Sequence, residues 1–183
     1  MIVRLNSSVA NAHIHTEVIM KEISANNLPK SAFEMIGKDW MLLTAGNEHK
    51  YNTMTASWGG LGVLWNKNVV FAFVRPQRFT FDFMSDNDYF SCSFFKEDYR
   101  NALAYCGKYS GRDVDKAKEC NLTPDFAENA PYFDEADTVI ICKKLYVQQM
   151  DESSIIDESV KANYNGDDYH HVFVGEIVKV LKK

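Results

Sequence analysis

Residues 52–83, NTMTASWGGLGVLWNKNVVFAFVRPQRFTFDF, decide the fold of this chain. A segment rich in small hydroxyl side chains, residues 52–58, is followed by an apolar run at 69–74 that is typical of a buried strand. Residues 75–80 then predict a helix that begins at Pro76. Two arginines beside a helix N-terminus suit a phosphate, and hydroxyls and amides on a strand suit the polar edge of a planar heterocycle. The stretch suggests a site for a phosphorylated aromatic cofactor, or equally a strand, a loop and a helix packed for stability.

The length and the net charge of the chain indicate which classes of protein it can belong to. A chain of 183 residues is enough for one domain with a sizeable core. The net charge of −5 argues against a nucleic-acid partner. The sequence contains no apolar run of about 18 residues, so we expect no membrane span.

The four cysteines indicate a reducing compartment. They are Cys92, Cys106, Cys120 and Cys142, and no pair has the C-x-x-C spacing of a zinc or redox motif. Because no signal peptide is visible, we expect a cytoplasmic protein with free thiols. Cys92 and Cys106 lie on apolar faces of their elements, so both are expected to be small buried hydrophobes.

The periodicity of apolar residues predicts a single β-rich domain. Strands are expected at residues 40–45, 51–58, 69–74, 89–95 and 170–181, with one or two more within 136–150. Helices are expected at residues 77–84, 99–106, 114–120 with Asp113 as the cap, and 155–162. Gly59 to Gly62 are interpreted as a loop, residues 121–131 as irregular, and Gly175 as the site of a β-bulge. No regular β-α-β alternation is present, which disfavours a doubly wound parallel sheet.

The first nineteen residues differ from the rest. Residues 1–19 are polar and irregular, and we interpret them as an N-terminal extension or an artificial remnant, with the domain at 20–183. His13 and His15 have the spacing of a metal pair. No carboxylate or cysteine follows at ligand spacing, so no metal site is predicted.

No common catalytic motif is present. The patterns G-x-S-x-G, H-E-x-x-H and G-x-x-x-x-G-K-[ST] are all absent from the sequence. Arg112 and Lys116 form a second cationic patch that suits either an anion or a solvated surface. His170 and His171 are neighbours on a predicted strand, so their side chains point to opposite faces.

Four segments taken together resemble a known family. They are N-T-M-T-A-S-W-G-G, V-R-P-Q-R-F-T, S-G-R-D-V-D-K and a final H-x-x-x-x-G-E-I that begins at His170 or, one residue shorter, at His171. In this order they resemble the flavin reductase-like, FMN-binding split-barrel family, and its flavoredoxin-like branch above all. The resemblance spans roughly residues 20–183 and leaves out 1–19.

The resemblance implies a mainly β fold, a six-stranded antiparallel Greek-key split β-barrel with short capping helices. It also implies a homodimer that binds FMN noncovalently near the dimer interface. Trp58, Trp65 and the Gly59 to Gly62 segment are candidate interface residues, although a core role for either tryptophan is equally open.

The matched motifs indicate which residues of this chain would bind the cofactor. The flavin ring and ribityl chain are expected along Asn52, Thr53, Met54, Thr55, Ala56, Ser57 and Trp58. The phosphate is expected near Arg75, Arg78 and Thr80. The resemblance also implies four further cofactor-binding residues, Ser110, Arg112, Lys116 and His171. No catalytic side chain and no metal ligand is expected, because the flavin carries the hydride chemistry itself.

The resemblance implies a flavin reductase that oxidises NADH or NADPH, with no ribose-recognising fingerprint to choose between the two nucleotides. One alternative is a flavoredoxin-like electron carrier that holds FMN tightly, turns over little NAD(P)H and passes electrons to a partner protein. Another is a barrel that binds haem or a different ligand, or no cofactor at all.

Overall fold

The computed structural model describes residues 19–164, 166 and 168–183. The extension predicted at 1–19, with His13 and His15, lies outside the described residues apart from Ile19. The strands are β1 (Lys21–Ile23), β2 (Met41–Gly46), β3 (Tyr51–Ala56), β4 (Gly59–Leu64), β5 (Lys67–Val74), β6 (Tyr89–Phe94), β7 (Pro124–Ala127), β8 (Ala130–Phe133), β9 (Thr138–Gln149) and β10 (His171–Lys182). The α-helices are α1 (Phe79–Asp86), α2 (Arg100–Lys108) and α3 (Lys116–Glu119). A π-helical segment covers Phe33–Asp39, and short 3₁₀ turns cover Ala25–Asn27, Glu97–Tyr99, Glu152–Ser154 and Glu158–Asn163.

Eight of the strands form one antiparallel sheet whose two edges meet. The strand order is β3-β2-β6-β9-β10-β5-β4, and β1 pairs with β10. The outermost strands β3 and β4 are joined in the chain by only Ser57 and Trp58. Three peptide links span at most about 11 Å, so the sheet must curl until its edges approach at this connection.

The central part of the curled sheet, which includes β2 and the first half of β9, is buried on both faces. Alternate residues of β2 and β9 enter two different apolar clusters, as the two-residue period of a strand requires. Leu43 and Ile140 belong to the cluster inside the curl. Leu42 and Ile141 belong to the cluster between the sheet, α2 and the β7–β8 hairpin. The predicted mainly β architecture is confirmed.

The Gly59 to Gly62 segment was wrongly predicted to be a loop. It is most of β4, which pairs antiparallel with β5. A Cβ added at Gly62 would lie 3.4 Å from the Phe71 ring, and one at Gly60 would lie 3.6 Å from it. These two are ordinary contacts, whereas a Cβ added at Gly59 would lie only 2.9 Å from the Phe71 carbonyl oxygen, so Gly59 permits the close approach of β4 to β5. Sequence spacing does not distinguish such a strand glycine from a glycine in a turn.

The predicted helix start at Pro76 is also wrong. The Arg78 N–H donates to the Arg75 carbonyl over 3.1 Å, which closes a four-residue turn. Pro76 occupies the second position of that turn, where its fixed φ is favoured. Helix α1 begins at Phe79, and Arg78 is its N-cap.

Three further assignments differ from the prediction. Asp115, not Asp113, caps α3, with its carboxylate accepting the Lys118 N–H over 3.1 Å. The helix expected at 155–162 is a 3₁₀ turn at Glu158–Asn163, and residues 121–131 contain most of the β7–β8 hairpin. The bulge predicted at Gly175 is confirmed, since the register of β10 against β9 shifts between Val174 and Gly175.

In the described part of the chain, no helix combines the length and the apolar character needed to cross a membrane.

Candidate functional site

A cleft of about 520 Å³ opens where the two edges of the sheet meet. Its walls come from β3, the connection to β4, the end of β5, the start of α1, the loop after α2 and the start of α3. All but three of the predicted site residues line it, and the exceptions are Thr53, Arg112 and His171. It is also lined by six residues that were not in the predicted set, namely Phe73, Gln77, Phe79, Tyr109, Gly111 and His170.

The strand wall of the cleft is fixed by three contacts. Asn52 Nδ2 donates to Thr80 Oγ1 over 2.8 Å, which ties β3 to the first turn of α1. Gly111 packs against the same asparagine, and a Cβ at Gly111 would lie only 1.9 Å from Asn52 Oδ1. The Thr55 hydroxyl donates to the Leu103 carbonyl of α2. Only glycine fits at position 111, and the loop after α2 is therefore held against β3.

One end of the cleft is cationic. Arg78 Nη1 donates to the Gly107 carbonyl over 2.9 Å and lies beside the N-terminus of α1. Lys116 Nζ donates to the Thr53 and Cys106 carbonyls over 2.8 and 2.7 Å. Burial lowers the pKa of the Lys116 ammonium. An ammonium has three N–H donors, so one of its donors is left for a ligand.

Lys116 is a fixed donor, because its ammonium has two carbonyl partners and the residue begins α3. Its side chain is 6% exposed, and it begins α3 directly after the cap. In the first turn of α1 the Phe81 N–H donates to the Arg78 carbonyl over 2.8 Å. The Phe79 and Thr80 amides before it have no acceptor within the helix and favour negative charge. Together with the Ser110 hydroxyl, these groups provide what a phosphate dianion requires.

Arg75 lines the cleft, but its guanidinium is already engaged. Its Nη1 pairs with Asp168 Oδ2 at 2.7 Å, its Nη2 donates to the Asn163 carbonyl, and its Cζ lies 5.1 Å from the Tyr164 ring centre. Gln77 Nε2 donates to the same Asp168 oxygen over 2.9 Å. The arginine therefore connects the end of β5 to the segment before β10, a function different from the expected phosphate contact.

Two of the expected site residues lie outside the cleft because their polar groups have other partners. Thr53 is buried behind the strand wall, with Oγ1 2.9 Å from Thr44 Oγ1. Arg112 forms a salt bridge with Asp82 at 3.1 Å and stacks on the Phe79 ring at 4.6 Å.

His170, and not the predicted His171, lines the cleft. The His171 ring packs on Phe81 at 4.7 Å, away from the cleft. His170 lines the cleft, and its ring centre lies 5.2 Å from that of Trp58. Neighbouring residues of a strand point to opposite sides, so a shift of one residue decides which ring enters the site. The H-x-x-x-x-G spacing, which begins at His170, was the signal that could have identified it.

The His170 imidazole is held neutral. Its side chain is 7% exposed, and Nδ1 lies 3.0 Å from the Tyr164 hydroxyl. Burial and then the positive charge of Arg75 lower the pKa of His170 to about 4. At neutral pH the cleft therefore contains an uncharged donor and acceptor beside an aromatic ring.

Among residues 19–164, 166 and 168–183, no group of three or more His, Cys, Asp or Glu side chains is arranged to hold a metal ion.

The family follows from a sequence match that covers most of the domain. The profile of the flavin reductase like domain matches residues 35–183. The chain belongs to the flavin reductase-like family. No curated protein sequence matches this flavin reductase-like protein.

Solved structures show the fold of this flavin reductase-like protein. Flavoredoxin from Methanosarcina acetivorans is 22% identical with a TM-score of 0.64, over 79% of this chain and 68% of that chain. The FMN-binding protein from Thermus thermophilus with bound 1-cyclohex-2-enone is 22% identical with a TM-score of 0.62, over 85% and 75%. The NADH:FAD oxidoreductase SgcE6 from Streptomyces globisporus is 16% identical with a TM-score of 0.59, over 79% and 75%. The predicted split barrel is confirmed, with eight strands in its sheet where six were expected.

Proposed function

We propose that this flavin reductase-like protein binds FMN in the cleft and reduces it with NADH or NADPH. The observation that carries the proposal is the pairing of a cationic end, built by Arg78, Lys116 and the start of α1, with a wall of strand backbone on the same cleft. A phosphate and a planar heterocycle joined by a polar chain need those two features at once. Family membership and the likeness to the Thermus thermophilus FMN-binding protein support the same ligand.

The residues present fit the phosphate end of FMN. Arg78 uses one N–H in its contact with the Gly107 carbonyl, so its other N–H donors can bind a phosphate. Lys116 can donate its third N–H to the same group. Arg75 is assigned a different role, since Asp168 already neutralises it. The phosphate is therefore assigned to Arg78, Lys116 and the first turn of α1.

The residues present also fit the ring. Met54, Thr55, Ala56, Ser57 and Trp58 line the cleft along the end of β3 and the connection to β4. The Thr55 hydroxyl already donates to the Leu103 carbonyl, so the backbone amides of this edge and the Ser57 hydroxyl supply the donors that the polar edge of an isoalloxazine requires. FMN, when bound, supplies the hydride and electron chemistry, while the chain binds it, orients it and excludes water.

The rival function is an electron carrier, and the likeness to a flavoredoxin favours it. Both functions need bound FMN, so the reaction with a reduced nicotinamide separates them. Anaerobic mixing of the FMN-loaded protein with NADH, and separately with NADPH, followed by absorbance of the oxidised flavin, tests the proposal. Rapid bleaching by one nucleotide is the expected result. Bleaching by dithionite but by neither nucleotide would establish the carrier instead.

A further inference from the structure

Two cysteine thiols lie against each other beside the cationic end of the cleft. Cys106 is in the last turn of α2 and Cys120 directly follows α3, and their Sγ atoms are 3.8 Å apart. Cys106 is fully buried, whereas Cys120 is half-buried and can be reached from solvent. The other two cysteines, Cys92 on β6 and Cys142 on β9, are both fully buried. Cys106 and Cys120 are therefore the thiol pair that a small oxidant can reach.

The two helices that carry these thiols also hold the proposed phosphate ligands. The Cys106 carbonyl accepts a hydrogen bond from Lys116 Nζ over 2.7 Å. The next carbonyl of α2, that of Gly107, accepts one from Arg78 Nη1 over 2.9 Å. Lys116 begins α3, and its own carbonyl accepts the Cys120 N–H over 3.1 Å. A movement of Cys120 relative to Cys106 therefore changes the position of Lys116 in the cleft.

A disulfide between the two cysteines requires such a movement. The sulfur atoms of a disulfide are about 2.05 Å apart, so the two Sγ atoms must come closer by about 1.8 Å. Helix α2 is anchored to β3, because its Leu103 side chain is buried and the Leu103 carbonyl accepts the Thr55 hydroxyl. Helix α3 has only four residues, so it is the element that moves. Lys116 at its start is then drawn away from its present position.

We propose that oxidation by a peroxide links Cys106 to Cys120, and that this disulfide weakens FMN binding by displacing Lys116. The effect on FMN rests on the proposed function, because it requires the flavin phosphate at the cationic end of the cleft. The loop that the disulfide closes contains Ser110 and Gly111, which line the cleft as well. Oxidation of the thiol pair is thereby coupled to occupancy of the flavin site.

The oxidation takes place in two steps. The Cys120 thiolate attacks one oxygen of hydrogen peroxide and the O–O bond breaks, which gives a sulfenic acid on Cys120 and a hydroxide that takes up the thiol proton and leaves as water. The Cys106 thiolate then attacks the Cys120 sulfur, the S–O bond breaks, and a second water leaves. The two thiols lose two electrons in total, and one peroxide is reduced to two waters. A dithiol such as dithiothreitol reverses the bond by thiol–disulfide exchange.

Burial makes both thiols slow to react. It raises the pKa of Cys106 to about 12 and also raises the pKa of Cys120. The negative charge of Glu119 adds to the rise at Cys120, and the positive charge of Lys116 opposes the rise at both thiols. Because the thiolate is the reacting form, oxidation is slower at pH 7 than at pH 8. The pair therefore responds to sustained rather than brief exposure to peroxide.

The experiment compares reduced, oxidised and re-reduced protein. Flavin-free wild type is treated with hydrogen peroxide at pH 8, and part of it is then reduced with dithiothreitol. Peptide mapping locates the disulfide, and FMN and riboflavin are titrated into all three samples. Cys120→Ala removes the half-buried thiol, and Cys92→Ala is the matched control that removes a fully buried one.

The expected result is a reversible loss that is specific to the phosphate. In the wild type, peroxide should join the Cys106 and Cys120 peptides and weaken FMN about tenfold, since a hydrogen bond to a charged group is lost. Riboflavin has no phosphate and should bind as before, and dithiothreitol should restore FMN affinity. Cys92→Ala should behave as the wild type does. Cys120→Ala should bind FMN equally well before and after peroxide.

The variant also separates thiol oxidation from damage to Met54, which lines the cleft and is itself open to oxidation. A loss of FMN affinity in Cys120→Ala as large as in the wild type would assign the effect to another residue and overturn the inference. Absence of the Cys106–Cys120 link in oxidised, folded wild type would overturn it too, as would a linked protein with unchanged FMN affinity. Both of these results leave the proposed function intact.

Failure of the reduced wild type to bind FMN has a different meaning. It would overturn the proposed function and, with it, the effect of the disulfide on the flavin. Peptide mapping of the oxidised protein needs no flavin, so it would still decide whether Cys106 and Cys120 form the disulfide.

Discussion

Arg75 and Arg78 are three residues apart and chemically identical, yet their surroundings give them different roles. Arg75 is paired with Asp168, whereas the one partner of the Arg78 guanidinium among the described residues is the Gly107 carbonyl. Spacing on the sequence shows both cations but cannot show which one a distant carboxylate neutralises. Asp168 is 93 positions from Arg75 along the chain.

Replacing Arg78 should weaken FMN selectively. A hydrogen bond to a charged group is worth roughly 1.5–3 kcal/mol, so Arg78→Ala should lower FMN affinity by about ten- to a hundredfold. Riboflavin has the same ring without the phosphate, so its affinity should barely change. Fluorescence titration of both flavins measures the difference.

Arg112→Ala is the matched control for this experiment. It removes a guanidinium that does not itself line the cleft and whose partners are Asp82, the Gln77 carbonyl and the Phe79 ring, so it should leave FMN affinity nearly unchanged. Equal losses for FMN and riboflavin in Arg78→Ala would show that Arg78 supports the fold or the ring, and the phosphate assignment would then be wrong.

His170 should make the folded state sensitive to acid. Its pKa falls from 6.5 to about 4 on folding, so the folded state binds its proton less readily than the unfolded chain. The stability it contributes is therefore complete above about pH 6.5 and is lost as the pH falls toward 4, by up to on the order of 3 kcal/mol.

Urea unfolding of the wild type and His170→Gln at several pH values between 7 and 4 measures this contribution. The wild type should lose more unfolding free energy over that interval than the variant does. Parallel losses in the two proteins would contradict a neutral, buried imidazole.

At the scale of elements, the strands with ordinary apolar patterns and the bulge at Gly175 were predicted correctly, whereas the glycine-rich strand β4 and the turn at Pro76 were not. The runs that became β5 and β6 have β-branched or alternating apolar residues, which identify strands directly. Gly59–Leu64 lacks that pattern because three of its six residues are glycine, and at Gly59 a Cβ would lie 2.9 Å from the Phe71 carbonyl oxygen of the neighbouring strand. Pro76 was predicted to begin a helix, because proline is favoured both at the first position of a helix and at the second position of a turn.

The segment before β10 should depend on its link to Arg75. Asp168→Asn removes the charge that pairs with Arg75 and leaves a weaker, neutral acceptor. We expect amide hydrogen exchange in Glu158–Asn163 to become about tenfold faster or more, because charged hydrogen bonds of about 1.5 kcal/mol or more are lost.

Glu176→Gln is the comparison for this segment. It weakens the pair with Lys67 on a different part of the sheet and should not change exchange in Glu158–Asn163. Unchanged exchange in Asp168→Asn would show that other contacts hold the segment, and Arg75 would become available again as a phosphate ligand.

For the whole molecule, the cleft depends on long-range register. Its lining comes from residues between Asn52 and His170 that meet only because the sheet curls and its edges approach at Ser57 and Trp58. Most of the residues that line the cleft could be identified from the sequence, because the order of the motifs resembles that of a known family. The position of His170 relative to His171 and the pairing of Arg75 with Asp168 required the folded chain.

The chain should form a homodimer. The alternative that Trp58 or Trp65 is a core residue is wrong, since they are 48% and 57% exposed. Both flank β4, an outermost strand of the sheet, and an exposed edge with large apolar side chains suits a second subunit. Sedimentation should show a dimer at micromolar concentration, and Trp65→Glu should shift it toward monomer. A wild-type monomer with FMN bound would contradict this proposal.

The central claim is that the cleft between the sheet edges holds FMN, and equilibrium titration of the flavin-free protein with FMN tests it most directly. We predict saturable binding at one FMN per chain, which Arg78→Ala weakens and Arg112→Ala does not. Absence of saturable FMN binding to the folded wild type, or binding that both arginine substitutions weaken equally, would contradict it.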